Sequence, residues 1–489
     1  MLKSSAVALL IALASGAGCQ RAVSGQAPAP ATVHAPDRVR ADLAYLQDAV
    51  IRRHPRFHER APDAALMRAF DDVARSINMP MTRAEAFRAL ARLNPAFKDA
   101  HTLLLPTFAT QDRGAEGAAF PIAVRLNGDG ELTVAGDWLR QGDGERLVSG
   151  TVIRSINGEN SAHLLDELSG YGHGETASLR RHMLTIMFPD WLAAVRQWSG
   201  RFHLEVHRGG RSRSLRIAES DAWAPAPAQE PPDRPALRDL GDGIALLRLP
   251  TFDVDEDPDA YREAIDHAFV AIRQRGATAL VLDVRGNTGG QSDAGAQVIR
   301  YLIKRPINQV SRARELVNED NRGWFGHKGR VGEMREMDLS RDGLIEPVAE
   351  AERFEGNVAL LVDAMTYSAG ILFATTLQDH GLAVLVGQPS GGYANQTGNM
   401  EPVVLPNTGL TAYIPAREFV RPNGDVRIGH VIPDLPALAS AAGQDHALST
   451  AMAYLRAQGG NAARAPACGP ASAAGCGAAP ERRYRSARH

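Results

Sequence analysis

The sequence predicts a multidomain α/β protein with a small N-terminal helical domain, a β-rich domain and a larger α/β core. Three observations lead there. From Val39 onward apolar residues recur at helical spacing, with Val39, Leu43, Leu46 and Val50 on one stripe. Between Phe120 and Ile217 short apolar runs such as Phe120–Val124, Leu132–Ala135 and Phe202–Val206 are divided by Gly, Asp and Asn, the pattern of strands and turns. Farther on, uninterrupted apolar strands at Ala279–Leu282, Val358–Val362 and Leu382–Val386 alternate with helical patterns, as in a sheet covered on both faces.

Taken in order, Met1 to Gly18 reads as an export signal, with Lys3 at its positive start and an apolar run over Ala6–Ala14 too short to span a bilayer. Ser15-Gly16-Ala17-Gly18 before Cys19 resembles a lipoprotein lipobox, with Gly16 where that motif has an aliphatic residue. The resemblance makes Cys19 a lipidated first residue, and Gln20 after it points to the outer membrane. Ordinary cleavage, giving a secreted soluble protein, is the alternative. Residues 20–36 form an Ala/Pro-rich tether.

The helical domain is expected over 37–115. Within it Thr82-Arg83-Ala84-Glu85 has capping-box spacing, and Asn94-Pro95 is expected to end the helix that follows. The β-rich domain, 118–220, contains Gly150–Gly158, a strand running into an Asn-Gly turn that resembles the corresponding hairpin of PDZ domains. Residues 221–236, with five prolines from Pro225 to Pro235, read as a stiff linker. The α/β core follows over 237–445. In it Ile244–Leu249 is a strand, and Asp257-Pro258 starts a helix carrying Tyr261, Ile265, Phe269 and Ile272 along one side. The tail from 459 to 489 is Ala/Gly/Pro-rich and expected to be disordered, so Cys468 and Cys476 brace nothing.

With 54 Lys+Arg against 56 Asp+Glu and a net charge of −2, the chain lacks the basic footprint of a nucleic-acid partner. No His-Glu-x-x-His or similar ligand spacing implies a metal, and no cofactor motif appears.

Two core strands end in small or polar residues, where α/β proteins place ligands. The first ends in Asp283-Val284-Arg285-Gly286-Asn287-Thr288-Gly289-Gly290, whose paired glycines leave N–H groups uncovered, suiting an oxyanion. It also suits a plain tight turn. The second ends in Asp363-Ala364-Met365-Thr366-Tyr367-Ser368-Ala369-Gly370. Ser368 there is either a helix N-cap or a nucleophile at the positive end of the helix dipole, beside the free N–H of Ala369. A nucleophile needs a base. No lysine follows Lys328, so histidines remain: His101 in Asp99-Ala100-His101-Thr102, with His380 and His430 as alternatives. Read alone, His101 suits a hydrogen-bonded structural histidine equally.

Asp-x-Arg-x-Asn-x-Gly-Gly, a Ser-Ala turn about eighty residues later, Val386-Gly387, and Ile432-Pro433-Asp434 together resemble the tail-specific (C-terminal processing) and tricorn-type serine peptidases. Asp99-x-His101-Thr102 and the PDZ-like segment fit the same family, so the similarity covers roughly 37–445. It implies a ClpP/crotonase-like α/β peptidase core acting on peptide or protein substrates. Where the family's Ser–Lys type has its lysine, after Gly387-Gln388-Pro389-Ser390-Gly391-Gly392, this chain has Tyr393, so the resemblance implies the Ser–His type. By carry-over Ser368 is the nucleophile, His101 the general base, and the oxyanion hole is the N–H of Gly289 or Gly290 with that of Ala369. The tricorn-type glutamate position is Arg427 here, leaving Asp425, Glu401 and Asp99, in that order, as candidates to orient His101.

The sequence thus reads as an exported serine peptidase, lipid-anchored at Cys19. A non-catalytic peptide-binding protein on the same scaffold, and an acyl-CoA hydratase-like enzyme, are the rival readings.

Overall fold

In the computed structural model the described residues are 32–462, apart from 60–61, 108–118, 199, 219–220, 227–233, 323–328, 341–342 and 438–443. The signal, the tether up to residue 31, Cys19, Cys468 and Cys476 lie outside them.

Helix α1 (Pro36–Arg53) buries Val39, Leu43, Leu46 and Val50, the stripe its spacing dictates. Helix α2 (Ala64–Ser76) packs against the segment that follows α3 (Arg83–Leu90). The α3 capping box is formed: Thr82 Oγ1 accepts from the Glu85 N–H, and Glu85 Oε2 accepts from the Thr82 N–H at 2.8 Å. Asn94-Pro95 does not stop the chain's helical course. A 3-10 turn over Ala91–Leu93 leads into a short helix, Asn94–Phe97, because proline in a first turn has no backbone donor to waste. Lys98 then ends it in the left-handed region, at φ 51°.

The chain next forms a two-residue strand, β1 (Leu103–Leu104). Both backbone groups of Leu104 are held by Asn94: its N–H donates to Oδ1 at 2.8 Å and its carbonyl accepts from Nδ2 at 2.9 Å. The β-rich segment contributes β2 (Val124–Leu126), β3 (Leu132–Val134), β4 (Val152–Ile156), helices α4 (Ser161–Ser169) and α5 (Ala177–Ile186), and the hairpin β5 (Arg201–Arg208) and β6 (Arg211–Ala218). The sheet order is β6-β5-β4-β3-β2, antiparallel throughout. The helical and β-rich segments share one continuous core, Leu46, Phe87, Phe188 and Leu204 all belonging to it. Part of the expected linker is strand: Trp223–Pro225 pairs with Trp138–Arg140, which a proline at a strand end permits.

The α/β core is a six-stranded sheet in the order β7 (Ala236–Asp239), β8 (Ile244–Arg248), β9 (Ala279–Asp283), β11 (Asn357–Val362), β12 (Val384–Gly387) and β15 (Leu435–Pro436). All neighbours from β8 onward are parallel. Alternation along the strands divides their side chains between two faces. Leu247, Leu280, Leu282, Leu360 and Val362 meet helices α6 (Pro258–Gln274), α7 (Ser292–Ile299) and α8 (Ala369–Asp379). Leu246, Val281, Ala359 and Leu361 meet α9 (His446–Ala462) on the other face. A second antiparallel sheet places β10 (Arg312–Leu316) beside β14 (Thr411–Val420) and β14 beside β13 (Gln396–Val404). Strand β1 also pairs with β14, Leu104 opposite Ala412, which carries the turn before it onto the α/β core.

Candidate active site

Strands β9 and β11 lie side by side, so the turns at their carboxyl ends are neighbours, and hydrogen bonds interlock them. Asn287 accepts from the Tyr367 N–H through its carbonyl at 3.0 Å and donates from Nδ2 to the Leu249 carbonyl at 2.9 Å. Thr366 Oγ1 donates to the Val284 carbonyl at 3.1 Å. Asp363 Oδ1 accepts from the N–H groups of Gly286, Met365 and Thr366.

Held this way, Ser368 has φ 52° and ψ −120°, a region a side chain enters only where its surroundings impose it. It stands at the N-cap position of α8, yet its side chain makes no cap hydrogen bond. Its Oγ instead lies 3.2 Å from His101 Nε2. The Ser368 carbonyl accepts from Gln396 Nε2 at 2.9 Å, bracing the strained residue from β13. Gly289 packs so close beneath it that a Cβ there would lie 2.7 Å from Ser368 Cβ. Gly290, at φ 128°, runs against Phe252 and Asp253, where a Cβ would lie 2.2 Å from backbone atoms.

The oxyanion donors differ from one expectation. The Gly289 N–H is taken by Asn287 Oδ1 at 2.8 Å and is not free. Among the described residues the N–H groups of Gly290 and Ala369 have no acceptor within the protein; Ala369 follows Ser368 in the chain, and Gly290 lines the same cavity as Ser368.

His101 reaches the site from the turn between Lys98 and β1. Asp99 organises that turn: its carboxylate accepts from the His101 N–H at 3.1 Å, from Thr102 Oγ1 at 2.9 Å and from Thr397 Oγ1 at 2.9 Å. His54, at the end of α1, completes it. Its Nδ1 accepts from the Arg56 N–H at 3.2 Å, so its Nε2 carries the proton that donates to Asp99 Oδ2 at 2.9 Å. Burial alone pushes the Asp99 carboxyl up, but the His101 and His54 imidazoles beside it outweigh that and hold it well below the usual carboxylate range. Asp99 Oδ1 lies 3.7 Å from His101 Nδ1, within ion-pair reach but too long for a hydrogen bond. The hydrogen-bonding neighbour of Nδ1 is the Tyr367 hydroxyl at 3.2 Å, which in turn lies 3.2 Å from Glu175 Oε1. Burial, with the Asp99 charge adding to it, pushes the Glu175 carboxyl up to about 8.

The structure thus brings together Ser368, His101, Asp99, Gly290 and Ala369. It does not bring Asp425 or Glu401 to His101. The Asp425 carboxylate is paired with Arg427, which takes the carboxylate into an ion pair of its own at 2.6 Å. Glu401 is bound to Asn318 Nδ2 at 2.5 Å, and burial pushes it up to about 7. His380 Nε2 and His430 Nδ1 bond the carbonyls of Asn308 and Gly392. Lys304 is exposed and paired with Glu355 at 2.6 Å. Sequence reasoning assigned no role to Tyr367, Glu175, His54, Thr397 or Gln396. Tyr367 adjoins Ser368 and was within reach of the motif, whereas the others are separated from it in the chain and carry no local signal.

Residues 243–437 match the profile of peptidase family S41. The matched segment is a domain of peptidase family S41. It is a serine-type peptidase, and the matched residues carry Ser368 and both glycines, while His101 comes from outside them. Mature CPAF is similar over 86% of this chain and 96% of its own, at 17% identity and a TM-score of 0.59. CPAF complexed with lactacystin gives the same identity and TM-score over 88% and 98%. The photosystem II D1 C-terminal processing protease is 16% identical over 81% and 92%, with a TM-score of 0.43. No curated protein matches the chain.

The Asp99 cluster has a direct consequence for acid stability. A carboxyl held low contributes stability that is fully present above its unfolded value, about 3.9, and is lost as pH falls through its lower folded value. Asp99→Asn should therefore flatten the acid limb of the stability–pH curve below about pH 4. Stranding the donors of His54, Thr102 and Thr397 should cost about 3–5 kcal/mol at pH 7. Denaturant unfolding of both proteins between pH 2 and 7 measures each effect; parallel curves would contradict the first.

Proposed function

We propose that this peptidase is exported and cleaves peptides or unfolded, tail-exposed proteins through an acyl-enzyme on Ser368, with His101 as general base. The observation that carries the reading is the 3.2 Å approach of Ser368 Oγ to His101 Nε2 at a serine whose side chain caps no helix. In the first step Oγ attacks the scissile carbonyl carbon while its proton passes to Nε2. The carbonyl oxygen becomes an oxyanion facing the free N–H groups of Gly290 and Ala369, at the positive end of α8. His101 then returns the proton to the leaving amine, the C–N bond breaks, and water repeats the sequence on the ester. A cavity of about 120 Å³ beside Ser368, lined by Leu103, Met183, Met187, Trp191 and Met400, suits an apolar substrate side chain.

The export reading rests on Met1–Gly18 and the lipobox-like residues before Cys19. It expects Cys19→Ser to move the protein from the membrane to the soluble fraction. Unchanged fractionation with no lipid mass on the N-terminus would refute the anchor.

Ser368→Ala should abolish peptide hydrolysis and labelling by a fluorophosphonate while the protein stays folded, since a lost cap-position hydroxyl costs about 1 kcal/mol or less here. His101→Ala should lower kcat on the order of a hundredfold or more, and Lys304→Ala should leave it unchanged. Full activity in Ser368→Ala would remove the nucleophile assignment. No labelling of the wild type would favour a peptide-binding protein.

A further inference from the structure

We propose that Tyr367 and Glu175 position His101 for catalysis by forming a one-way hydrogen-bond chain, His101 Nδ1–H to Tyr367 Oη and Tyr367 Oη–H to Glu175 Oε1. The proposal rests on the reading of His101 as the base of Ser368.

The chain follows from a count of protons. For Ser368 to donate to His101, Nε2 must be bare, so a neutral imidazole carries its proton on Nδ1. Two groups stand near that nitrogen. Asp99 Oδ1, at 3.7 Å, lies beyond hydrogen-bond range, and its carboxylate already accepts from the His101 N–H, Thr102, Thr397 and His54. Tyr367 Oη, at 3.2 Å, is the remaining acceptor. A hydroxyl that accepts on one side must send its own proton elsewhere, and Glu175 Oε1 lies 3.2 Å away. If Tyr367 instead donated to Nδ1, the His101 proton would sit on Nε2, facing the serine, and Oγ would lose its base.

Glu175 comes from the loop before α5, in the β-rich segment, so this unit completes the catalytic machinery of the α/β core. Its Oε2 is shut off from solvent and has no hydrogen-bond partner. An ionised carboxylate would leave that oxygen uncompensated, whereas a neutral carboxyl still accepts from tyrosine through its carbonyl oxygen. The groups around it are Asp99 and His101 on the turn after Lys98, Arg56 near the end of α1, Tyr367 before α8, Tyr393, and His173 on its own loop. Burial holds His173 down at about 4, so it brings no charge at neutral pH. Burial and the Asp99 charge keep Glu175 protonated until about pH 8. Above that pH its ionisation makes it a stronger acceptor for the Tyr367 hydroxyl and adds a negative charge behind the imidazolium that forms when His101 takes the serine proton.

The test compares full-chain wild type, Ser368→Ala, Tyr367→Phe, Glu175→Ala and Glu175→Gln in a peptide hydrolysis assay from pH 6 to 9.5. Tyr367→Phe and Glu175→Ala should each lower kcat about tenfold or more with KM nearly unchanged, because the chain acts on the base and not on substrate binding. Glu175→Gln keeps the acceptor oxygen but cannot ionise. It should recover kcat at pH 7 relative to Glu175→Ala and lack the wild-type rise in kcat above about pH 8. Unchanged kcat in both Tyr367→Phe and Glu175→Ala, or a Glu175→Gln profile identical to wild type, would overturn the chain. In wild-type protein, 15N NMR should find the neutral His101 proton on Nδ1, and a proton on Nε2 would overturn the chain even if the variants fail to fold. If Ser368→Ala stays active, the underlying base assignment falls instead.

Discussion

Inside a protein a carboxylate stays ionised only if donors replace the water it gives up, and Asp99 is surrounded by four. They come from separate places in the fold: His54 closes α1, His101 and Thr102 belong to the turn between Lys98 and β1, and Thr397 lies on β13 of the antiparallel sheet. One buried charge therefore joins the N-terminal helices to the α/β core at the point where the imidazole must be held. The pairing of Leu104 with Ala412 and the Asn94 bonds to Leu104 hold the same turn from its other side. His101 is rigid because its neighbours on both sides are fixed.

Ser368 is fixed by a different means. Its backbone lies in a region that costs on the order of 1–3 kcal/mol, offset by the bonds that tie its turn to the β9 turn and by Gln396 from β13. The glycines before α7 serve the same geometry: Gly289 lets the serine turn approach, and Gly290 lets the chain pass against Phe252. The cost goes into aiming Oγ away from the helix cap and toward the histidine. A serine relaxed into the cap position would satisfy α8 and leave nothing to attack a carbonyl.

What was legible in the sequence follows the range of the forces involved. The buried strands over 279–283 and 357–362 and helix 258–274 announce themselves through local periodicity, and the Thr82–Glu85 capping box through spacing. Ser368 was visible as a small-residue turn after such a strand. His101, 267 residues away from it, carried no local mark separating it from a structural histidine, and resemblance to a family singled it out. The missing glutamate at the Arg427 position directed attention to Asp425 and Glu401. Both hydrogen-bond elsewhere, because charge alone does not say which carboxylate folds back to the imidazole. Trp223–Pro225 reads as linker by composition and becomes strand because Trp138–Arg140 offers it an edge.

Glu175 was the least legible, since a glutamate in a Gly-rich loop looks like any solvated charge. Its part depends on a contrast that only three dimensions supply. His101 stands between two carboxyl groups that cannot share one state: if both were ionised, two negative charges would sit near one imidazole with too few donors between them. Asp99 has the donors and keeps the charge, while Glu175 has an orphaned oxygen and keeps its proton. The two therefore divide the work. The ionised one stabilises the imidazolium by its field at 3.7 Å, and the neutral one, acting through Tyr367, fixes which nitrogen is free to take the serine proton. A chain with Arg427 at the expected glutamate position thus orients its base with groups drawn from the helical turn and the β-rich loop.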